Sequence, residues 1–347
     1  MKLPSLLHRA PRAALLLARL RAGQFAVASV NLLNRCNQDC PMCQVHRGPF
    51  VELTLAQLEA AFHALALRGV RAVELSGGEP FLRADLPQVI AAVERAGLLF
   101  TFNTNATAVT DAGLAALEGA RGLLQVAVSL DSLEPARYRL LRGRDQLTQA
   151  LAGLARLQTA RLGAPVKLNV AVSKHNDVEV SSLVEFAHAR GLFLSAFPVN
   201  QGPGAHRSDE GLFTATGQER ALMAETFEWL SRRRGETLWE PPTFYRAAAR
   251  FLRGERLGPC GAGKLYLDIR ADGTVAGCVD LPPVASVEDL SSGRAFDALA
   301  AAQPAVAACQ ASTPCCYTCT QGLAEAGRHP LRFAAHAGLL QLKGKGP

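Results

Sequence analysis

The chain has no low-complexity tract, no internal repeat and no apolar run near the ~18 residues that a transmembrane helix needs. It shows no signal-peptide core with a cleavage site, and no acidic residue before Asp39. The first set of absences excludes disordered, fibrous and membrane-spanning classes, and the expected setting is the cytoplasm. The missing early acids explain most of the charge. Lys2, Arg9, Arg12, Arg19, Arg21 and Arg35 account for all but one of the formal +7. The remaining chain is nearly neutral, so a nucleic-acid surface is not expected.

What is present is a large apolar share, 49% of the 347 residues, enough for about two domains or one large barrel. Nine cysteines fall in two clumps. Cys36, Cys40 and Cys43 form one; Cys260, Cys278, Cys309, Cys315, Cys316 and Cys319 form the other. A chain this long buries a core without disulfides, so clumped cysteines point to metal or redox chemistry in a reducing compartment.

Residues 3–21 read as an amphipathic basic helix. A helix packed on the outer face is the plainer reading, and a peripheral membrane contact is the alternative. From residue 25, short apolar runs alternate with amphipathic stretches. Strands are expected at 25–33, 72–75, 99–103, 125–130, 166–172 and 193–197. Helices are expected at 54–67, 85–96, 111–117, 146–162 and 178–190, with Thr54 and Asp111 as caps. Six strands at βα spacing imply a parallel sheet with right-handed crossovers, a partial (β/α)6 TIM-type barrel. The rhythm stops near residues 198–210. A polar loop at 201–209 and a helix at 218–234 follow. A hairpin comes next, with strands 264–271 and 275–279 about the turn Asp272-Gly273. The expected divisions are an N-terminal helix (1–24), the barrel (25–200), a linker and helix (201–259), a small cysteine-rich α+β domain (260–325) and a tail (326–347).

Cys36, Cys40 and Cys43 have CxxxCxxC spacing directly after the first strand. Three thiolates on so short a loop can converge on one metal centre. Zinc normally takes four closed ligands, whereas three thiolates on a four-iron cluster leave one iron open. The loop resembles the signature of the radical S-adenosylmethionine (radical SAM) enzymes, and further motifs follow in the family's order. Gly77-Gly78-Glu79-Pro80 resembles the segment that contacts the methionine ammonium. Independently of the family, paired glycines allow close backbone approach and Glu79 offers a carboxylate to a cation. Thr104-Asn105-Ala106 resembles the family's Thr-Asn-Gly, with Ala106 in the glycine's place. Ser129 and Asp131 resemble its Ser-x-Asp. Arg142, before Gly143, resembles an arginine set against the SAM carboxylate, and Asn169 resembles a further polar contact. The resemblance implies SAM and a SAM-binding [4Fe–4S] cluster as cofactors. It implies reductive SAM cleavage to a 5′-deoxyadenosyl radical that abstracts a substrate hydrogen, and a flavodoxin- or ferredoxin-type electron donor.

The second clump brings Cys260 and Cys278 together across the hairpin as Cx12GxxxxC, with Gly273 at the turn. This resembles the SPASM/twitch domains that hold auxiliary [4Fe–4S] clusters. Val306 stands where the longer SPASM pattern has its first later cysteine. The resemblance therefore implies one auxiliary cluster on Cys260, Cys278, Cys316 and Cys319, with Cys309 and Cys315 as alternates or as ligands of a labile second cluster, and a zinc site as the competing reading. The expected activity is oxidation or modification of a peptide, sugar or tetrapyrrole-type metabolite. Alternatives are a lipid or isoprenoid substrate at a membrane surface, or a non-enzymatic iron–sulfur carrier.

Overall fold

A computed structural model describes residues 3–201, 207–208, 211–233, 237–312, 315–317 and 322–328. Cys319, most of the expected 201–209 loop and the tail from residue 329 lie outside these residues.

Six parallel strands run in chain order: β1 (Val27–Asn31), β2 (Ala72–Ser76), β3 (Leu99–Thr104), β4 (Leu123–Ser129), β5 (Val166–Val172) and β6 (Phe193–Pro198). The crossovers carry α2 (Leu55–Leu67), α3 (Leu86–Arg95), α4 (Asp111–Gly119), α5 (Pro135–Arg142), α6 (Leu147–Thr159) and α7 (Val180–Ala189). This is the partial α/β barrel anticipated above. Helix boundaries follow their caps. Thr54 accepts from the Gln57 amide and Gln57 reaches back, a capping box. At α4 the cap is Thr110, not Asp111: its hydroxyl accepts from Gly113, and Asp111 is the first helical residue. There a carboxylate still favours the positive helix end.

The strands' outward side chains, such as Val30, Leu75, Phe102, Val128, Leu168 and Leu194, are buried with the helix faces in one apolar core. Their inward positions are largely polar: Ser29, Asn31, Glu74, Ser76, Asn103, Ser129, Lys167, Asn169 and Ser195. A complete barrel fills this space with bulky apolar layers. A polar interior leaves room for a ligand.

After β6 come the two-residue strands β7 (Asn200–Gln201) and β8 (Arg207–Ser208), then α8 (Gly217–Arg232) and α9 (Pro242–Leu252), which pack against each other. The expected hairpin forms from β9 (Tyr266–Ile269) and β10 (Thr274–Ala276), turning at Gly273 with φ +82°. It does not stand apart. β9 pairs in parallel with β1, so the order is β11-β10-β9-β1-β2-β3-β4-β5-β6, with β11 (Ala285–Ser286) at the far edge. The segment that the cysteine pattern sets off as a domain shares the barrel's sheet. Four short helices follow: α10 (Asp289–Ser292), α11 (Arg294–Ala301), α12 (Gln303–Ser312) and α13 (Leu323–Arg328).

The N-terminal helix α1 (Leu3–Arg21) packs on the body, as the plainer reading expected. Arg9 donates to the carbonyls of Arg121 and Gly163, each at 2.8 Å, and Arg19 to that of Phe25 at 2.7 Å. Two of the cations available for a membrane contact are thereby used on the protein. Among the described residues no helix is long and apolar enough to cross a membrane.

Candidate active site

At the C-terminal ends of the strands lies a cavity of about 280 Å³. Cys36, Cys40 and Cys43 line it, together with Gly77, Gly78, Asn105, Ser129, Asp131, Arg142 and Asn169. Motifs spread over more than 130 residues of chain are brought to one place because each follows or ends its own parallel strand.

The cysteine loop is held by close backbone contacts. The Gly78 amide donates to the Leu33 carbonyl at 2.8 Å and the Glu79 amide to the Arg35 carbonyl at 2.9 Å. A Cβ on Gly78 would lie 2.0 Å from the Arg35 oxygen, and one on Gly77 2.3 Å from the Leu33 oxygen. Gly77 also has φ +122°, a region open to glycine. The close approach expected of these glycines is therefore made to the loop's own chain. Gly143 acts similarly further along. It caps α5 at φ +70°, and a Cβ there would lie 2.0 Å from the Asp39 oxygen.

Glu79 does not line the cavity. It is fully buried, and its carboxylate accepts from Phe81 N (3.1 Å), Thr104 Oγ1 (2.8 Å) and Asn105 N (2.7 Å). Burial pushes its carboxyl up to about 7 against those three donors. Here it ties β2 to the turn after β3, and its role as an ammonium contact has no support in this geometry. Ala106, in the family's glycine position, does adopt a left-handed conformation at φ +60°. Its carbonyl sits where a Cβ on Gly153 would come within 1.8 Å, so a glycine on α6 makes room for that turn.

Arg142 forms an ion pair with Asp131, Nη2 to Oδ2 at 2.7 Å, and Asp131 Oδ1 accepts the Ala171 amide at 2.7 Å. Burial works against the guanidinium's charge, but Asp131 and Cys40 more than offset it and keep it protonated. Arg142 Nη1 lies 4.0 Å from Cys40 Sγ. Donors also reach Cys36 Sγ: the Gln38 amide at 3.4 Å and Asn105 Nδ2 at 3.7 Å.

The three thiols are free. Burial pushes Cys36 up to about 11 and Cys43 up to about 12, and raises Cys40 as well. Such thiols become thiolates when cationic metal takes the proton's place. Among the described residues no three His, Cys, Asp or Glu side chains draw close enough to hold one metal ion. Three thiols that line one cavity, with N–H donors near their sulfurs, fit a polynuclear iron–sulfur cluster better than a single zinc ion.

Sequence reasoning missed several lining residues: Met42, His46, Glu74, Asn103, Asn200 and Tyr266. His46 bonds Asp39 Oδ1 at 2.8 Å, with its side chain 14% exposed. Glu74 could have been found, because a lone charged residue at an inward strand position has no structural reason to be there.

The second cysteine group is less unified. Cys260 lies near Cys309 and Cys278 near Cys260, close enough for like-charge effects on their thiols, while burial pushes Cys278 up to about 12. Val306, in the missing cysteine's place, packs beside Cys278 and Val279. Cys316 instead sits in the main barrel core, and its amide donates to Asn200 Oδ1 at 2.9 Å. Among the described residues Cys260 thus has Cys278 and Cys309, the latter held in reserve above, as thiol neighbours.

Residues 30–187 match the Radical SAM superfamily. The GTP 3′,8-cyclase of Nitrobacter hamburgensis is 33% identical over 180 residues, covering 49% of this chain and 51% of the relative. GTP 3′,8-cyclase 1 of Pseudomonas aeruginosa is 32% identical over 209 residues, covering 56% and 61%. The chain thus spans about half the length of the curated relatives it matches. Among solved structures, Streptococcus suis SuiB bound to S-adenosylmethionine superposes with a TM-score of 0.60 at 17% identity, over 80% of this chain and 68% of that one. Native anSMEcpe with bound AdoMet gives 0.60 at 13%, over 78% and 80%. These two show that the shared fold extends beyond residues 30–187 into the C-terminal segment.

Proposed function

We propose that the chain is a radical SAM enzyme that binds a [4Fe–4S] cluster on Cys36, Cys40 and Cys43 and S-adenosylmethionine beside it. The observation that carries this reading is that three free thiols open onto one cavity with the other motif residues of a radical SAM domain. When bound, the cluster supplies the electron that converts S-adenosylmethionine to a 5′-deoxyadenosyl radical for hydrogen abstraction.

The chain's own residues do the orienting. Gly77, Gly78 and Gly143 fix the cysteine loop by backbone contact. Arg142, held by Asp131, keeps a positive charge beside Cys40 and stabilises thiolate sulfur there. Asn105, Ser129 and Asn169, which line the same cavity, would offer polar groups to bound S-adenosylmethionine. An auxiliary cluster on Cys260 and Cys278, with Cys309 as the nearby third thiol, would stand at the hairpin side of the cavity. An electron donor of the flavodoxin or ferredoxin type would reduce the first cluster. A peptide or small metabolite is the substrate. The names of the sequence relatives favour GTP as a second reading.

Anaerobic reconstitution tests the proposal. About four irons per chain per cluster are expected, so two clusters give about eight. Dithionite-reduced protein should convert S-adenosylmethionine to 5′-deoxyadenosine and methionine. Intact clusters without that product would favour an iron–sulfur carrier.

A further inference from the structure

The cavity floor carries more negative than positive charge. Ser29 on β1 is in register with Glu74 on β2 and with Asp268 on β9. With strands ~4.8 Å apart, the two acidic residues flank one small side chain at a Cα separation on the order of 10 Å. Glu74 lines the cavity and accepts a hydrogen bond from Asn103 Nδ2. Asp268 is fully buried. Its Oδ1 accepts Asn31 Nδ2 at 3.1 Å, its Oδ2 accepts no hydrogen bond, and Arg270 Nε stands 3.7 Å from Oδ2. Lys167 on β5 faces both Glu74 and Glu240. Among the described lining residues the carboxylates are Glu74 and Asp131 and the one Arg or Lys is Arg142, which Asp131 takes; Glu74 is left with Lys167, behind the wall and shared with Glu240. A buried carboxylate short of counter-charge is costly and invites a cation from outside.

A second observation points to a ligand independently. Asn200 is 2% exposed and lines the same cavity; among the described residues its Nδ2 has no partner, although its Oδ1 accepts the Cys316 amide. Asn169 Oδ1, also in the cavity wall, is likewise unpartnered. The floor therefore offers an acceptor at Glu74 and a donor at Asn200.

We propose that this floor binds a protonated amine of the substrate at Glu74, and that Asn200 Nδ2 donates to a carbonyl of the same molecule. The substrate class is an amine carrying an amide or similar carbonyl. The inference rests on the reading of this cavity as the enzyme's substrate site. It also separates this chain from a GTP enzyme. A triphosphate would bring several negative charges against these carboxylates, and among the described lining residues the one Lys or Arg is the already paired Arg142.

The test is equilibrium dialysis of the cluster-loaded full chain, with S-adenosylmethionine present, against 6-aminohexanamide, its neutral analogue hexanamide, and GTP. Saturable binding of 6-aminohexanamide is expected, at least about 10-fold tighter than hexanamide, as one charge-assisted bond implies. GTP should show no saturable binding. Glu74→Gln should weaken the amine toward the neutral analogue. Equal binding of the two amides by the wild-type chain overturns the proposal without recourse to any variant, as does absence of amine binding or saturable binding of GTP. Formation of 5′-deoxyadenosine by the same preparation reads the enzyme proposal separately. Cleavage without amine binding contradicts this inference alone; amine binding without cleavage supports the amine site and contradicts the enzyme reading.

Discussion

The cysteine loop after β1 and the cysteine-bearing segment around β9 flank the same cavity from different scaffolds. The first is over-determined: Gly77, Gly78 and Gly143 each admit a backbone contact that a methyl group would break. A buried ion pair adds a charge beside Cys40. The second draws its thiols from a hairpin, from α12 and from an irregular stretch, and divides them between two apolar clusters. Rigid short-range geometry is what a site needs when its ligands must stay pre-arranged. A site assembled from distant segments depends on the metal itself to close it.

Removing thiols gives the largest expected contrast. Cys36→Ala/Cys40→Ala/Cys43→Ala should abolish 5′-deoxyadenosine formation and about half the bound iron. Cys260→Ala/Cys278→Ala/Cys309→Ala should lose the other half and keep S-adenosylmethionine cleavage. Iron assay and product chromatography on both variants check this.

The charge pair comes next. Arg142→Met strands the Asp131 carboxylate in the interior and should cost about 3–5 kcal/mol in denaturant unfolding. Arg142→Met/Asp131→Asn should recover most of that loss, the signature of a coupled pair. Glycine substitutions sharpen the contrast further. Gly78→Ala forces a Cβ to 2.0 Å from a carbonyl oxygen and should cost about 1–3 kcal/mol or more. Gly191→Ala, at φ +63° with nothing within 4 Å, should lose only the ~1–2 kcal/mol of left-handed strain.

On the hairpin side, Asp268 sets a pH dependence. Burial pushes its carboxyl up from 3.8 to about 7, against the opposing pull of Arg270 and Ser29. Between those values the folded chain keeps a proton that the unfolded chain releases. The Asp268 contribution to stability therefore falls as pH rises from about 4 to about 7. Asp268→Asn should flatten that part of the stability–pH curve. The smallest effect belongs to Ala106→Gly. Relief of the left-handed backbone is offset by the lost buried methyl and added chain entropy, so stability should stay within about 1 kcal/mol.

Local patterning made much of the fold legible. α1 spans residues 3–21 and β5 residues 166–172 as read, because each is a bounded periodic segment. α5 was missed because Pro135–Arg142 is short and charged, with only Tyr138 and Leu141 buried. The β9–β1 pairing was invisible because it joins residues some 240 positions apart, and no turn or spacing encodes it. The cavity's cysteines and polar strand ends were readable as motifs. The partners of Glu79 and Arg142 were not, since burial and neighbouring side chains decide whether a carboxylate faces a ligand or the protein.

The most direct test of the central claim is 5′-deoxyadenosine formation by the reconstituted, dithionite-reduced chain given S-adenosylmethionine. Product that appears with the wild-type chain and vanishes with Cys36→Ala/Cys40→Ala/Cys43→Ala is the predicted result. A fully cluster-loaded chain that forms none, or a triple variant that forms as much as the wild type, would contradict it.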